Sequence, residues 1–108
     1  LVLTDATWTS PRPAPGARAF WDPAYPQMRT PDVRIAAAQR AGWTLLGTYL
    51  LPDSDWDAYY RPLAARIAQV RAQRPDAGSE LDGIGREIDV RRAHGGDYGY
   101  TAFVLRRR

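Results

Sequence analysis

The chain has no cysteine, no lysine and a single histidine, and each scarcity removes a class of chemistry. Without cysteine there are no disulfides, no thiolate metal sites and no cysteine nucleophile. Without lysine there is no Schiff base and no P-loop, and one histidine removes most zinc constellations. No apolar run approaches the roughly 20 residues that cross a bilayer. The opening Leu1–Leu3 lacks the basic flank of a signal peptide. A cytoplasmic location, with no membrane partner, is therefore expected. Clustered charge is scarce as well. The net charge of +3 comes wholly from arginines spread among acids, with one run at Arg106–Arg108. That interleaving reads as a solvated surface and not as the basic patch of a nucleic-acid binder. At 108 residues, with 44% apolar and 25% charged positions, the composition is that of one small globular unit.

The chain is organised around Gly42–Ile67, GWTLLGTYLLPDSDWDAYYRPLAARI. Almost every position of Trp43–Leu51 is apolar or threonine, which suits a strand buried on both sides in an α/β protein. Pro52 cannot donate to a ladder and should end it. Ser54 then reads as an N-cap, with Asp55 and Asp57 at the positive end of a helix dipole. Trp56, Tyr59, Tyr60, Leu63, Ile67 and Val70 follow at three- and four-residue spacing, one stripe along a helix. Pro62 predicts a short first turn before the helix proper.

Upstream, Leu1–Thr4 reads as a buried strand continuing a longer sheet, with Asp5–Trp8 just past its carboxyl end, where open α/β sheets bind ligands. Thr9–Gly16 is a proline-rich loop. Gly16–Tyr25 predicts a turn or two of helix ended by Pro23, whose Phe20 and Trp21 either form a lid or cover the sheet. Thr30–Pro31 starts a helix that runs to Ala41, with Gly42 as its left-handed cap. Strand, helix and strand make a βαβ unit with parallel strands. Downstream, the helix after Pro52 runs to Arg74. A further one, capped by Asp76 or Ser79, carries Leu81, Ile84 and Ile88 despite Gly83 and Gly85, which cost about 1 kcal/mol each against alanine. Gly95–Gly96 ends it, and Tyr98–Leu105 is a last strand, apolar on both faces and so interior.

Catalytic apparatus is sparse. His94, beside a glycine pair at a helix end, reads as a partner of the dipole. Asp5 is the best-placed carboxylate, either hydrogen-bonded within a loop or free to act. Tyr59 and Tyr60 diverge by about 100° on a helix, so one can enter the core while the other faces a cleft. Gly95, Gly96 and Gly99 precede a strand and make no phosphate loop.

Five segments in order carry a resemblance. Leu51–Ile67 resembles the "LP…W..YY.PL..R" segment near the C-terminus of a group of bacterial class I S-adenosylmethionine-dependent methyltransferases. LVLTDATW resembles their strand ending in an acid, a hydroxyl residue and Trp, with Asp5 where glutamate is common. Phe20, Trp21, Tyr25, Pro26 and Thr30 match an "FW…YP.m.t" insertion. AGWTLLGTYLLP is similar to their helix end and next strand, and DYGYTAFVLRRR to their terminal strand. The resemblance implies the C-terminal half of such an enzyme: a partial Rossmann-like α/β sheet of three strands with flanking helices. The last strand would lie centrally, antiparallel to both neighbours. It also implies acceptor-side aromatics at Trp8, Trp21, Tyr25, Trp56, Tyr59 and Tyr60. Asp5 would orient a small-molecule acceptor or take its proton. The glycine-rich turn and ribose-binding acid of these enzymes do not occur in the 108 positions. S-adenosylmethionine would thus be bound by a longer parent and not by this chain. A competing expectation is a non-enzymatic interaction module that recruits a partner, or a second copy, through the edge of Leu1–Thr4.

Overall fold

The computed structural model describes residues 1–108, which form two compact units, Leu1–Leu51 with Gly96–Arg108, and Pro52–Gly95. The first holds a three-stranded sheet. Strand β1 is Val2–Trp8, followed by helices α1 (Pro15–Ala24) and α2 (Pro31–Arg40) and strand β2 (Trp43–Leu50); β3 is Tyr98–Arg107. The order is β1-β3-β2, with β3 antiparallel to both neighbours. The outer strands therefore run parallel to each other, and the last strand is central, as the resemblance implies.

Three strand expectations are corrected. β1 does not stop at Thr4: its ladder continues to the Trp8–Tyr98 pair, so Asp5 sits within the strand opposite Thr101. Nor are Leu1–Thr4 buried. Leu1 and Val2 are 64% and 65% exposed, at the end of β1 away from the contacts that α2 and α1 make with Asp5 and Trp8. β2 is likewise half-buried to exposed, pairing with β3 alone and taking α2 on one face. Its unbroken apolar run has a geometric cause. Register slips between Leu45 and Gly47, so Leu46 is an extra residue. A bulge of this kind reverses which parity faces which side. Trp43 and Leu45 before it share a face with Thr48 and Leu50 after it.

The two faces of the sheet take different helices. Trp8 and Tyr98 are cross-strand partners, and α1 covers them: Trp21 meets Tyr98 edge-on at 5.2 Å, and the Arg18 guanidinium lies 5.2 Å from the Trp8 ring centre. Asp5 points to the opposite face by strand alternation, where Arg34 of α2 meets it. The start of α1 is anchored where the Ala14 amide donates to the Asp97 carboxylate at 3.1 Å. Pro23 does not end α1, which runs on to Ala24. Its missing N–H falls in the last turn on the exposed side, where the freed carbonyl can take water. Gly42 follows α2 with φ 96°, the left-handed turn expected of it.

The second unit is an antiparallel helix pair, α3 (Asp53–Gln73) and α4 (Gly78–His94), joined through a 3₁₀ turn at Pro75–Ala77. Trp56, Tyr60 and Ile67 of α3 are buried, as are Leu81, Ile88 and Arg91 of α4. Pro52 and not Ser54 occupies the N-cap position of α3, and Ala77 precedes α4 in place of Asp76 or Ser79. Pro62 does not interrupt α3. It lies beside exposed Ala58, Arg61 and Asp57, so the Ala58 carbonyl that loses its amide faces water. No helix is long and apolar enough to cross a membrane.

Candidate functional site

The carboxyl ends of β1 and β2 lie on the same side of the sheet, and a groove of about 610 Å³ opens there. Crevices beyond carboxyl strand ends are where open α/β sheets hold ligands. Thr48 and Leu50 of β2 and Thr101 of β3 form its base; the residues just after β1 and the start of α2 form its sides. Thr101 is fixed from below by a buried hydroxyl pair, its Oγ1 lying 2.8 Å from that of Thr7. Asp32, in the first turn of α2, is the one charged side chain in the lining. The Thr30 hydroxyl and the first amides of the helix hold its carboxyl below the ordinary 3.8, so it is ionised at neutral pH.

Asp5 is not in that lining but braces it. The Tyr25 hydroxyl donates to Asp5 Oδ1 at 2.9 Å, and Arg34 Nη2 donates to the Tyr25 oxygen at 2.8 Å. Arg34 Nε lies 3.2 Å from Asp5 Oδ2. That N–H makes no aligned hydrogen bond, so the last contact is charge attraction alone. Arg34 also donates to the Gln27 carbonyl at 2.6 Å. The cluster therefore ties β1 to residues 25–34, the segment that carries Thr30, Pro31 and Asp32 into the groove wall. The same segment touches the outer edge of β1, where the Trp8 amide donates to the Arg29 carbonyl at 3.0 Å. Partial burial, then the hydrogen bond to Asp5, holds the Tyr25 phenol above its ordinary 10.0.

The expected aromatics separate into groups. Trp8 borders the groove, yet its ring shares the Tyr98 face and is 4% exposed. Trp21 packs against Phe20 and Tyr98, and its buried indole N–H has no acceptor. Tyr25 belongs to the Asp5 cluster. Trp56, Tyr59 and Tyr60 are in the helix pair. There the Arg91 guanidinium stacks 4.0 Å from the Trp56 ring centre, and the Tyr60 hydroxyl donates to Glu87 at 2.8 Å. Tyr59 is 62% exposed. His94 lies in the last turn of α4. Sequence reasoning missed Thr30–Asp32, Thr48 and Thr101 as groove residues. The signal within reach was the Thr-Pro-Asp helix start, which in an α/β unit falls near a strand end.

A sheet with a central antiparallel last strand, helices on both faces and a groove at the carboxyl strand ends defines an α/β fold of the Rossmann-like methyltransferase type. By sequence, the chain matches no protein-family model and no curated protein. By structure, it is similar to an S-adenosylmethionine-dependent methyltransferase from Geobacter sulfurreducens, solved in complex with S-adenosyl-L-homocysteine. The TM-score is 0.77 at 15% identity, over 99% of this chain and 45% of that one. A methyltransferase of the same description from Thiobacillus denitrificans, with the same ligand, gives a TM-score of 0.78 at 12% identity, over 99% and 45%. YjhP from E. coli gives 0.74 at 19% identity, over 99% and 48%. The chain thus spans about half the length of these structures, and at such identities the likeness is one of fold.

Neither strand-to-helix connection after β1 or β2 carries a glycine-rich turn. The connection from β1 to α1, Thr9–Ala14, contains two prolines and no glycine, and β2 passes to α3 through Leu51 and Pro52. Proline supplies no amide for a ribose or carboxylate oxygen, and no glycine allows the close backbone approach that nucleotide cradles use.

Proposed function

We propose that these 108 residues are the C-terminal, acceptor-side portion of a cytoplasmic S-adenosylmethionine-dependent methyltransferase that acts on a small molecule. The carrying observation is the agreement in fold over 99% of the chain with about half of two enzymes solved with S-adenosyl-L-homocysteine. The groove at the carboxyl strand ends supports a small acceptor, since its volume falls in the usual range for such ligands, about 300–1,000 Å³. Residues of a longer parent would hold the methyl donor. This chain would supply a desolvated, oriented seat for the acceptor, which is a proximity contribution. Trp8, Thr48 and Thr101 border that seat. Asp5 contributes to it through Tyr25 and Arg34, because its carboxylate already serves both, and Trp21 supports it from beneath through Tyr98.

The test is calorimetric titration with S-adenosylmethionine and S-adenosyl-L-homocysteine, on the 108-residue chain and on a longer protein that contains it. The longer protein should bind both and transfer the methyl group, and the chain alone should do neither. Micromolar binding to the chain alone would defeat the reading, because it would require a cradle built from these residues. A second reading is an interaction module working through the outer edge of β1. It is favoured by the exposure of Leu1 and Val2 on a strand whose one strand neighbour is β3.

A further inference from the structure

The groove in the sheet unit has a charge character that its shape alone does not give. Pro11, Pro31 and Leu50 provide apolar walls, hydroxyls provide the polar points, and no arginine or histidine enters the lining. Arg12 and Arg29 touch the lining through backbone atoms, the Arg12 amide donating to Ser10 Oγ and the Arg29 carbonyl accepting from the Trp8 amide, and the Arg29 guanidinium is taken by the carbonyls of Pro26 and Met28. A helix start ordinarily draws anions to its free amides. At α2 the first turn already carries a carboxylate, Asp32, which itself favours the positive end of the helix. An incoming anion would meet a carboxylate where the helix would otherwise offer donors. The remaining outward charge is negative, beside an apolar wall.

We propose that this groove binds an organic cation, a small molecule with a protonated amine facing Asp32 and an apolar body against Pro31 and Leu50. Together with the methyltransferase proposal, on which this clause rests, it makes the acceptor an amine-bearing compound. The pocket discriminates by charge sign, so three probes of one shape suffice: phenethylamine, phenethyl alcohol and phenylacetate. Each is titrated into the 108-residue chain at neutral pH and low salt while backbone amide NMR shifts are followed.

The amine should move the amides of Ser10, Asp32, Thr48 and Leu50. It should bind about two- to fivefold more tightly than the alcohol, the worth of an exposed ion pair, and phenylacetate should bind most weakly. The advantage should shrink as salt rises. It should vanish in Asp32→Asn, which keeps a hydrogen-bonding residue at the helix start, and persist in Asp32→Glu. Equal binding of amine and alcohol, or phenylacetate as tight as the amine, would overturn the proposal. So would shifts mapping away from the groove, or none up to about 10 mM probe. The ranking of the three probes decides the matter even if a variant fails to fold. None of these outcomes involves methyl transfer, so a failure here is separate from a failure of the titrations with S-adenosylmethionine.

Discussion

Tyr25 stands between a carboxylate and a guanidinium, and that placement sets its acidity. Its phenol is held above 10.0, by partial burial first and by the hydrogen bond to Asp5 next. A group whose folded pKa is raised contributes stability that is complete below its unfolded pKa and lost as pH climbs through the folded one. Stability should therefore fall from about pH 10 upward, and Tyr25→Phe should flatten that alkaline limb while costing about 1 kcal/mol at neutral pH. Urea titrations at a series of pH values read both effects; an unchanged alkaline limb would count against the cluster. In the helix pair, Arg91 is 9% exposed while its partner Asp53 is 90% exposed. An ion pair open on one side to water is weak, so Trp56 is the larger support for the buried cation. Trp56→Ala should cost about 3–5 kcal/mol. Its neighbour Tyr59, exposed to solvent, should change stability by no more than about 0.5 kcal/mol on substitution by alanine. Comparable losses at both positions would mean that α3 does not bury the face described.

At the scale of elements, local rules are obeyed in some places and overridden in others. Gly42 turns the chain from α2 into β2 with a positive φ, and a Cβ there would meet nothing within 4 Å. Gly42→Ala should therefore cost about 1–2 kcal/mol through backbone conformation alone. Pro62 presents the opposite case, a helix breaker tolerated because its turn faces water. Pro62→Ala should restore the amide and raise stability, by at most about 3 kcal/mol. A loss of stability on that change would mean that the proline makes a packing contact of its own. The arginines at the end of the chain also act at this scale. Arg107 lies 6.0 Å from the Trp43 ring centre, and Arg108 donates from its backbone to the Gly42 carbonyl and from its guanidinium to the Gln39 carbonyl. A basic run that could pass for a ligand-binding tail instead caps the carbonyl end of α2, where cations are favoured.

For the molecule as a whole, association is expected at the edge of β1. Leu1 exchanges both backbone hydrogen bonds with Leu105. Every second residue after it then faces β3, and Val2, Thr4 and Ala6 direct their amides outward. The Trp8 amide, of the same parity, is covered by Arg29, whereas the Val2–Thr4 stretch is exposed. An apolar edge with free backbone recruits another strand, and the expected occupant is a second copy of the chain. Light scattering should show self-association that Thr4→Pro abolishes, since the substitution removes an outward amide and leaves the ladder to β3 intact. A chain that is monomeric at all accessible concentrations would remove the interaction reading.

The sequence by itself determined the order of strands and helices and the turn at Gly42. Local periodicity and backbone chemistry also placed Trp56, Tyr60 and Ile67, which are buried, in one stripe of α3, but the same stripe included Tyr59, which is exposed. The resemblance extended that order to a central antiparallel last strand. What only the tertiary structure decided lies in pairing. The Leu46 bulge depends on how β2 meets β3, and apolar runs at Leu1–Thr4 and Trp43–Leu51 cannot report that each strand has one neighbour. Asp5 changed from a loop carboxylate to a brace because its ladder partner, Thr101, is far along the chain. The groove is likewise formed by strand ends and a helix start that meet only once the sheet is closed, and no local pattern encodes that meeting.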